Sequence, residues 1–227
     1  MISSTRTTRG EPGPGLLAFR GRGSVAACAA ALLLLNGPPQ GHAQQPALSV
    51  PPDTMGIVLL HPIVRVHFVC LDHSSGQLKA LGDALASDCV VLSLAGGPLG
   101  RWPVFYRNSG LKNEDWYGWR ATVLAPFDGI VDSVHINITA NEPGTLGRDR
   151  ASVIVFRGAD GTRVLYAHVQ DIQVKPGDRV ISGQPVAKVG NNGPAWFPHT
   201  HVGAWKANSP LQVRFDPIAM GKLRWMQ

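Results

Sequence analysis

Tyr166-Ala167-His168-Val169 opens, and Pro198-His199-Thr200-His201-Val202-Gly203-Ala204-Trp205 closes, the stretch on which the reading of this chain turns. Three of its eight histidines lie between those ends. His199 and His201 alternate with Thr200 in an apolar, extended context, and alternate side chains of a strand share a face. Two imidazoles on one sheet face, joined by a third from another strand, suit a zinc ion with a neighbouring general base. Taken alone, so short a motif also fits a pair of surface histidines on an edge strand.

Working outward, the chain from Arg101 onward reads as repeated short strands. Val123-Leu124-Ala125 runs into the turn Pro126-Phe127-Asp128-Gly129 and then a strand over 130–136. A long polar loop spans 137–150; loops of this length lean towards function, here as the wall or gate of a groove. Strands over 152–156 and 163–169 are joined by Gly158-Ala159-Asp160-Gly161, a hairpin connection. Val174-Lys175-Pro176-Gly177-Asp178 is a further turn, and short strands at 180–181 and 186–189 precede Gly190-Asn191-Asn192-Gly193 and the histidine pair. Asp128 and Asp178 read as turn formers. The spacing predicts a mainly β domain over 101–215, a curled antiparallel sheet or partial barrel, with a short tail over 216–227.

Residues 44–100 read as a small α+β extension. Val64, Val66, Phe68 and Cys70 alternate with more polar neighbours, the period of a half-buried strand. Leu78, Leu81 and Leu85 suggest a short amphipathic helix over 76–86, with Gly82 leaving a gap in its apolar face. Cys89-Val90-Val91-Leu92 begins another strand. Cys70 and Cys89 pair most simply as a disulfide that closes the helix between the strands, since their spacing matches no zinc knuckle. His61, His67 and His73 also fall here and are read as surface or locally bonded residues.

Residues 1–43 have the form of a targeting segment. Arg6, Arg9, Arg20 and Arg22 precede the apolar run Val25–Leu35, and Gly41-His42-Ala43 supplies the small residues of a cleavage site. The run is too short for a permanent membrane span. Export to the periplasm or the outside is the expectation, and Cys28 leaves with the leader. Of the formal +6, the leader carries much; residues 44–227 hold 17 basic and 14 acidic side chains, or +3. With no Lys/Arg run and no basic–aromatic interleaving, the sequence lends nucleic-acid binding little support.

Taken in register, Ala125-Pro126-x-Asp128-Gly129-x-Val131, Tyr166-Ala167-His168, Val174-x-x-Gly177-Asp178-x-Val180-x-x-Gly183-Gln184, Val189-Gly190-Asn191 and Pro198-His199-x-His201 resemble the lysostaphin-type, or LytM-like, zinc metallopeptidases that cut peptidoglycan. The resemblance implies zinc as cofactor, His201 as a ligand, and His168 and His199 flanking the metal as base and oxyanion stabiliser, with zinc-activated water as nucleophile. It also implies peptidoglycan peptides as substrate.

That family's other two ligands come from a His-x-x-x-Asp motif, and here the pattern breaks. Asp115 stands where the aspartate is expected, but Leu111 occupies the histidine position. Asn113 and Asn108 offer only a carbonyl oxygen, a poor zinc ligand. Glu114 would point away from Asp115 on a strand, and His135 reads as an ordinary strand residue. Asp115 and His201, with Asn113 as a further candidate, form the expected ligand set. Two readings follow: a zinc endopeptidase with a variant ligand set, or a degenerate relative that binds peptidoglycan or regulates a partner hydrolase. A purely structural use of the β scaffold is the third. Trp116, Tyr117, Trp119, Trp196 and Trp205 lie near the site in sequence and serve either a groove or the core.

Overall fold

Along 153–158 and 162–167 every second side chain is buried, as period-two apolar patterning dictates for paired strands. The computed structural model describes residues 55–74, 76–97 and 100–225. The leader expected over 1–43 and the linker at 44–52 lie outside the described residues. In chain order the strands are β1 (Ile57–Leu60), β2 (Phe68–Asp72), β3 (Ser87–Val91), β4 (Ser93–Gly97), β5 (Gly100–Val104), β6 (Thr122–Leu124) and β7 (Gly129–His135). They continue with β8 (Val153–Gly158), β9 (Thr162–Ala167), β10 (Val169–Gln170), β11 (Arg179–Val180), β12 (Pro185–Val189), β13 (Thr200–Lys206) and β14 (Ser209–Phe215). One short helix follows, α1 (Pro217–Met220), capped by the Asp216 carboxylate.

The main sheet runs β1-β14-β13-β9-β8-β7-β11, and a second sheet, β10-β12-β6, lies beside it. Antiparallel pairing dominates, with β1 and β14 parallel. Fully buried Tyr166, Phe156, Ile154, Val164, Val123 and Val186 fill the core. Each such side chain stabilises the fold by roughly 1.5–3 kcal/mol through burial. The Phe156 ring meets Tyr166 edge-on at 5.3 Å. The Tyr166 hydroxyl has no hydrogen-bond partner, and burial pushes its phenol well above the ordinary range.

Strand β13 sets the position of the site. One edge pairs with β9 over Ala167–Thr162. The other edge is shared: Thr200–Val202 pair with β3, and Ala204–Lys206 pair with β14. Gly203 stands where those two partners part. A Cβ there would collide with the carbonyl oxygen of Gly82, and a Cβ on Gly82 would press into the Trp205 ring. The two glycines therefore allow the 80–85 segment to lie directly on β13.

This close approach accounts for a departure from the sequence reading. The segment expected as a helix over 76–86 is a series of turns, held by Ala84 N–H and Asp83 N–H to the Ala80 carbonyl and Ala86 N–H to that of Asp83. A helical cylinder cannot bring a backbone carbonyl into contact with β13, so tertiary packing overrides the leucine spacing. Among the described residues the extension thus has no helix. The strand expected from Val64 begins at Phe68; Val64 is buried in a bend and Val66 bridges Arg224. Cys70 and Cys89 are disulfide-bonded and directly opposite each other in β2 and β3. The tail packs back on the body, with Trp225 stacked on His67 at 3.7 Å.

Candidate metal centre

The pleat of the chain entering β13 puts His199 and His201 on one side, with Thr200 buried on the other. Both imidazoles are buried. His199 Nδ1 donates to the Phe197 carbonyl at 2.8 Å, leaving Nε2 to face Asp88 Oδ1 at 3.4 Å. His168 lies between β9 and β10 with φ of 61°, a left-handed conformation uncommon for a residue with a side chain. That turn carries the chain from the main sheet to the small one and aims the ring back at the pair. His168 Nδ1 donates to the Asn192 carbonyl at 2.7 Å, so the lone pair is on Nε2. Asn192 is itself fixed, accepting from Ser152 N–H at 2.7 Å and donating to the Val169 carbonyl at 2.9 Å. The ring centres of His168 and His199 are 4.6 Å apart, and those of His168 and His201 6.0 Å.

The extension completes the cluster. In the β3–β13 register Asp88 is opposite His201, and its Oδ1 lies 2.9 Å from His201 Nδ1. Asp83, carried on the turn pressed against β13, places Oδ1 3.2 Å from His201 Nε2. His73 follows β2, where its backbone N–H donates to the Ala86 carbonyl. Its Nε2 is 3.2 Å from Asp88 Oδ1, shut off from solvent and without hydrogen-bond geometry to any partner. The His73 ring centre is 5.3 Å from that of His201. One ligand atom from each of His73, Asp88 and His201 can be chosen so that all lie within 4.8 Å of one another.

Electrostatics separates these groups. Burial works against a charged ring at His201, but the bonds to Asp83 and Asp88 outweigh it and push its pKa up to about 9. Burial opposes ionisation of Asp88 too, yet the bonds from His199 and His201 hold its carboxyl well below the usual carboxylate range. At His168 burial dominates, reinforced by neighbouring His199, and its pKa falls to about 3. His168 is therefore neutral at physiological pH, whereas the carboxylates around His201 favour its protonated form when no metal is bound.

A cavity of about 810 Å³ opens over the cluster. His73, Asp83, Asp88, His168, His199 and His201 line its floor. Leu146, Arg148 and Arg150 of the long polar loop form part of its wall, as does half-exposed Trp196. Of the other aromatics, Trp116 stacks on Phe197 at 4.9 Å and Trp205 lies against Gly82.

Asp115 and Asn113, expected as ligands, are placed elsewhere. Asp115 is buried in a 3-10 turn over Asn113–Asp115, where Asn108 Nδ2 donates to it at 2.9 Å and Ser109 Oγ lies at 3.5 Å. These donors, Asn108 foremost, lower its pKa. Asn113 donates to the Asn141 carbonyl at 2.7 Å and accepts from Asn191 at 2.9 Å. Neither residue is among those that line the cavity.

Residues 117–213 match the model of peptidase family M23. Over that stretch, which is less than half of the chain, it is similar to the M23 peptidases. No curated protein matches the chain significantly. Among solved structures it is similar to the catalytic domain of the prophage-encoded M23 protein EnpA from Enterococcus faecalis, at 18% identity and a TM-score of 0.43, over 67% of this chain and 93% of that one. It is similar as well to the catalytic domain of the antimicrobial peptidase lysostaphin from Staphylococcus simulans, at 24% identity and 0.32, over 47% and 79%. For a zinc-containing peptidase from Vibrio cholerae the figures are 20% and 0.33, and the match spans 56% of this chain and about half, 48%, of the other.

The M23 match begins after the extension, so His73, Asp83 and Asp88 all lie upstream of it. Sequence reasoning missed them because none belongs to a local motif. The one available signal was the cysteine pair. Bridging Cys70 to Cys89 in adjacent strands forces His73 and Asp88, three residues after one and one before the other, towards the same end of the hairpin.

Proposed function

We propose that the protein is an exported zinc-dependent endopeptidase acting on the peptides of bacterial peptidoglycan. His73, Asp88 and His201 are its metal ligands, and His168 and His199 act on the substrate. The observation that carries this reading is the convergence of His73, Asp88 and His201, one ligand atom of each lying within 4.8 Å of the others. The buried His73 Nε2 is 3.2 Å from Asp88 Oδ1 but without a hydrogen bond. A buried nitrogen without a partner costs stability unless something binds it. Two imidazoles and a carboxylate are also the donor types of a three-ligand catalytic zinc site. The donor set fits the metal that the family resemblance implies.

Zinc held there supplies Lewis acidity towards a peptide carbonyl and lowers the pKa of water. The chain provides the rest. His168 Nε2, its lone pair fixed by the bond from Nδ1 to Asn192, accepts a hydrogen bond from a group entering the cavity. His199 is oriented in the same way through Phe197, and its Nε2 faces Asp88 Oδ1 at 3.4 Å. Burial of both rings keeps bulk water from competing for these bonds. The cavity, walled by Leu146 and Trp196, has room for an extended peptide.

The decisive experiment measures zinc stoichiometry together with release of soluble fragments from purified peptidoglycan. One zinc per chain and fragment release, both lost in His201→Ala, support the reading; no zinc at micromolar free metal overturns it. A second reading is favoured by one observation. Asp83 and Asp88 already satisfy both nitrogens of His201, as in a site that stays metal-free. On that reading the domain binds peptidoglycan or regulates a partner hydrolase. It predicts peptidoglycan retention without release, unchanged by a chelator.

A further inference from the structure

We propose that the Cys70–Cys89 disulfide is the positioning element of the metal centre, holding His73 in reach of Asp88 and His201. The inference rests on the ligand assignment proposed above and adds to it a role for two residues outside the ligand set.

The two ligand-bearing strands of the extension are held very unequally. β3 lies between β2 and β13, so Asp88 is fixed on both sides: its residue pairs with Leu71 on one and with His201 on the other. β2 pairs only with β3 among the described residues. Beyond the cysteine pair, two more paired positions follow, Leu71 with Asp88 and Asp72 with Ser87. The Ser87 hydroxyl donates to Asp72, His73 N–H donates to Ala86, and the strand pairing then gives way to turns. The His73 ring approaches Asp88 Oδ1 at 3.2 Å through Nε2 but makes no hydrogen bond there. Leu71 and Asp72 are exposed, so little packing secures that end of β2. The covalent link three residues before His73 is therefore the strongest tether on it.

Cys89 is buried, 2% exposed, and pairs with Thr200 at the start of β13 as well as with Cys70. The bridge thereby ties β2 to the same short run of sheet that carries His199 and His201. Breaking it takes two electrons and two protons from a dithiol, which leaves as its own cyclic disulfide while two thiols remain on the chain. Reduction leaves two reactive thiols on the chain, so substitution is a cleaner probe. A functional consequence follows: the ligand set is completed only where the bridge forms, in an oxidising compartment.

The test is a double-mutant cycle on the full chain, with zinc alone as probe and a competing chromophoric chelator as readout. Cys70→Ala/Cys89→Ala is expected to weaken zinc binding by roughly tenfold or more, a ligand displaced rather than deleted. His73→Ala is expected to weaken it further in the bridged protein but to add little in the unbridged one, because His73 has already left the site. Far-UV circular dichroism of the same samples reports whether the sheet persists. Non-additive losses with the sheet intact support the proposal. Equal affinity with and without the bridge, or strictly additive losses, overturn it while leaving the ligand assignment standing. Collapse of the sheet in the double alanine variant also overturns it, since the bridge is then a general staple. Failure of the bridged, unaltered protein to bind zinc removes the ligand assignment itself, and this inference with it.

Discussion

The loop 108–116 and the hairpin 68–91 each carry a buried or half-buried aspartate, yet the two regions use it in opposite ways. In the loop, Asp115 accepts from Asn108 and Ser109 and closes a 3-10 turn, with Trp116 stacked outward on Phe197. All its partners are neighbours in sequence. In the hairpin, Asp88 meets histidines from three places, His73, His199 and His201. Motif position favours Asp115 as the ligand, and donor geometry favours Asp88. The difference teaches that a carboxylate far from the motif in sequence reaches the His-x-His strand when the sheet register places it opposite, as it does Asp88 and His201.

The largest effects should separate these two aspartates. Replacing Asp88 with Ala, or His73 with Ala, is expected to weaken zinc binding roughly hundredfold or more, since loss of an outer-shell partner alone costs 10–100-fold. Isothermal titration with zinc checks this, and an unchanged affinity in Asp88→Ala would return the ligand role to the loop. Asp115→Asn is expected to keep zinc affinity within about twofold, as for a site that shares no partner with the metal. The same variant should lower the melting temperature, because the Asn108 and Ser109 bonds to a carboxylate are lost. A large fall in zinc affinity with no change in melting would break the comparison.

A smaller effect probes the buried histidine of the motif strands. His168 titrates at about 3 in the folded chain and near 6.5 when unfolded. Between those values the unfolded chain binds a proton that the native protein does not, so stability rises with pH across that window and levels off above it. One group contributes a slope of up to about 1.4 kcal/mol per pH unit. His168→Asn, which keeps a donor for the Asn192 carbonyl, should flatten denaturant-measured stability between pH 4 and 6.5. His201, with its pKa raised to about 9, acts in a different window: its contribution is full below about 6.5 and is lost as the pH rises through 9. A wild-type profile as flat as the variant's from pH 4 to 6.5 would refute the neutral, buried His168.

The smallest effect lies in the core shared by both regions. Tyr166→Phe removes a hydroxyl that has no partner and keeps the ring against Phe156. It should be neutral or stabilising by about 1 kcal/mol in thermal unfolding. Destabilisation would mean that the hydroxyl has a partner.

Much of the fold was legible in the sequence because β structure repeats with a local period. The hairpin at Asp160-Gly161, the alternation through β8 and β9, and the turn at Asp178 read directly from neighbouring residues, whereas the Asp128 carboxylate accepts from the distant Ser182 N–H. The helix expected over 76–86 failed for a non-local reason. Gly82 looked like a flaw in an amphipathic face, whereas it is the point where the backbone lies on Gly203, more than a hundred residues away.

The same division holds for the site. By itself the sequence determined that His199 and His201 share a face and that motifs resembling those of the LytM-like peptidases occur in order, and it suggested the cysteine pair. Local stereochemistry is enough for the first of these, and residue identity for the others. Only the tertiary structure decided which carboxylate and which third histidine stand beside His201. Asp88 and His201 are 113 residues apart and meet through one strand register. His73 depends in turn on a second register, β2 against β3. Registers between distant strands are settled by packing of the whole sheet, and no periodicity within either strand encodes them.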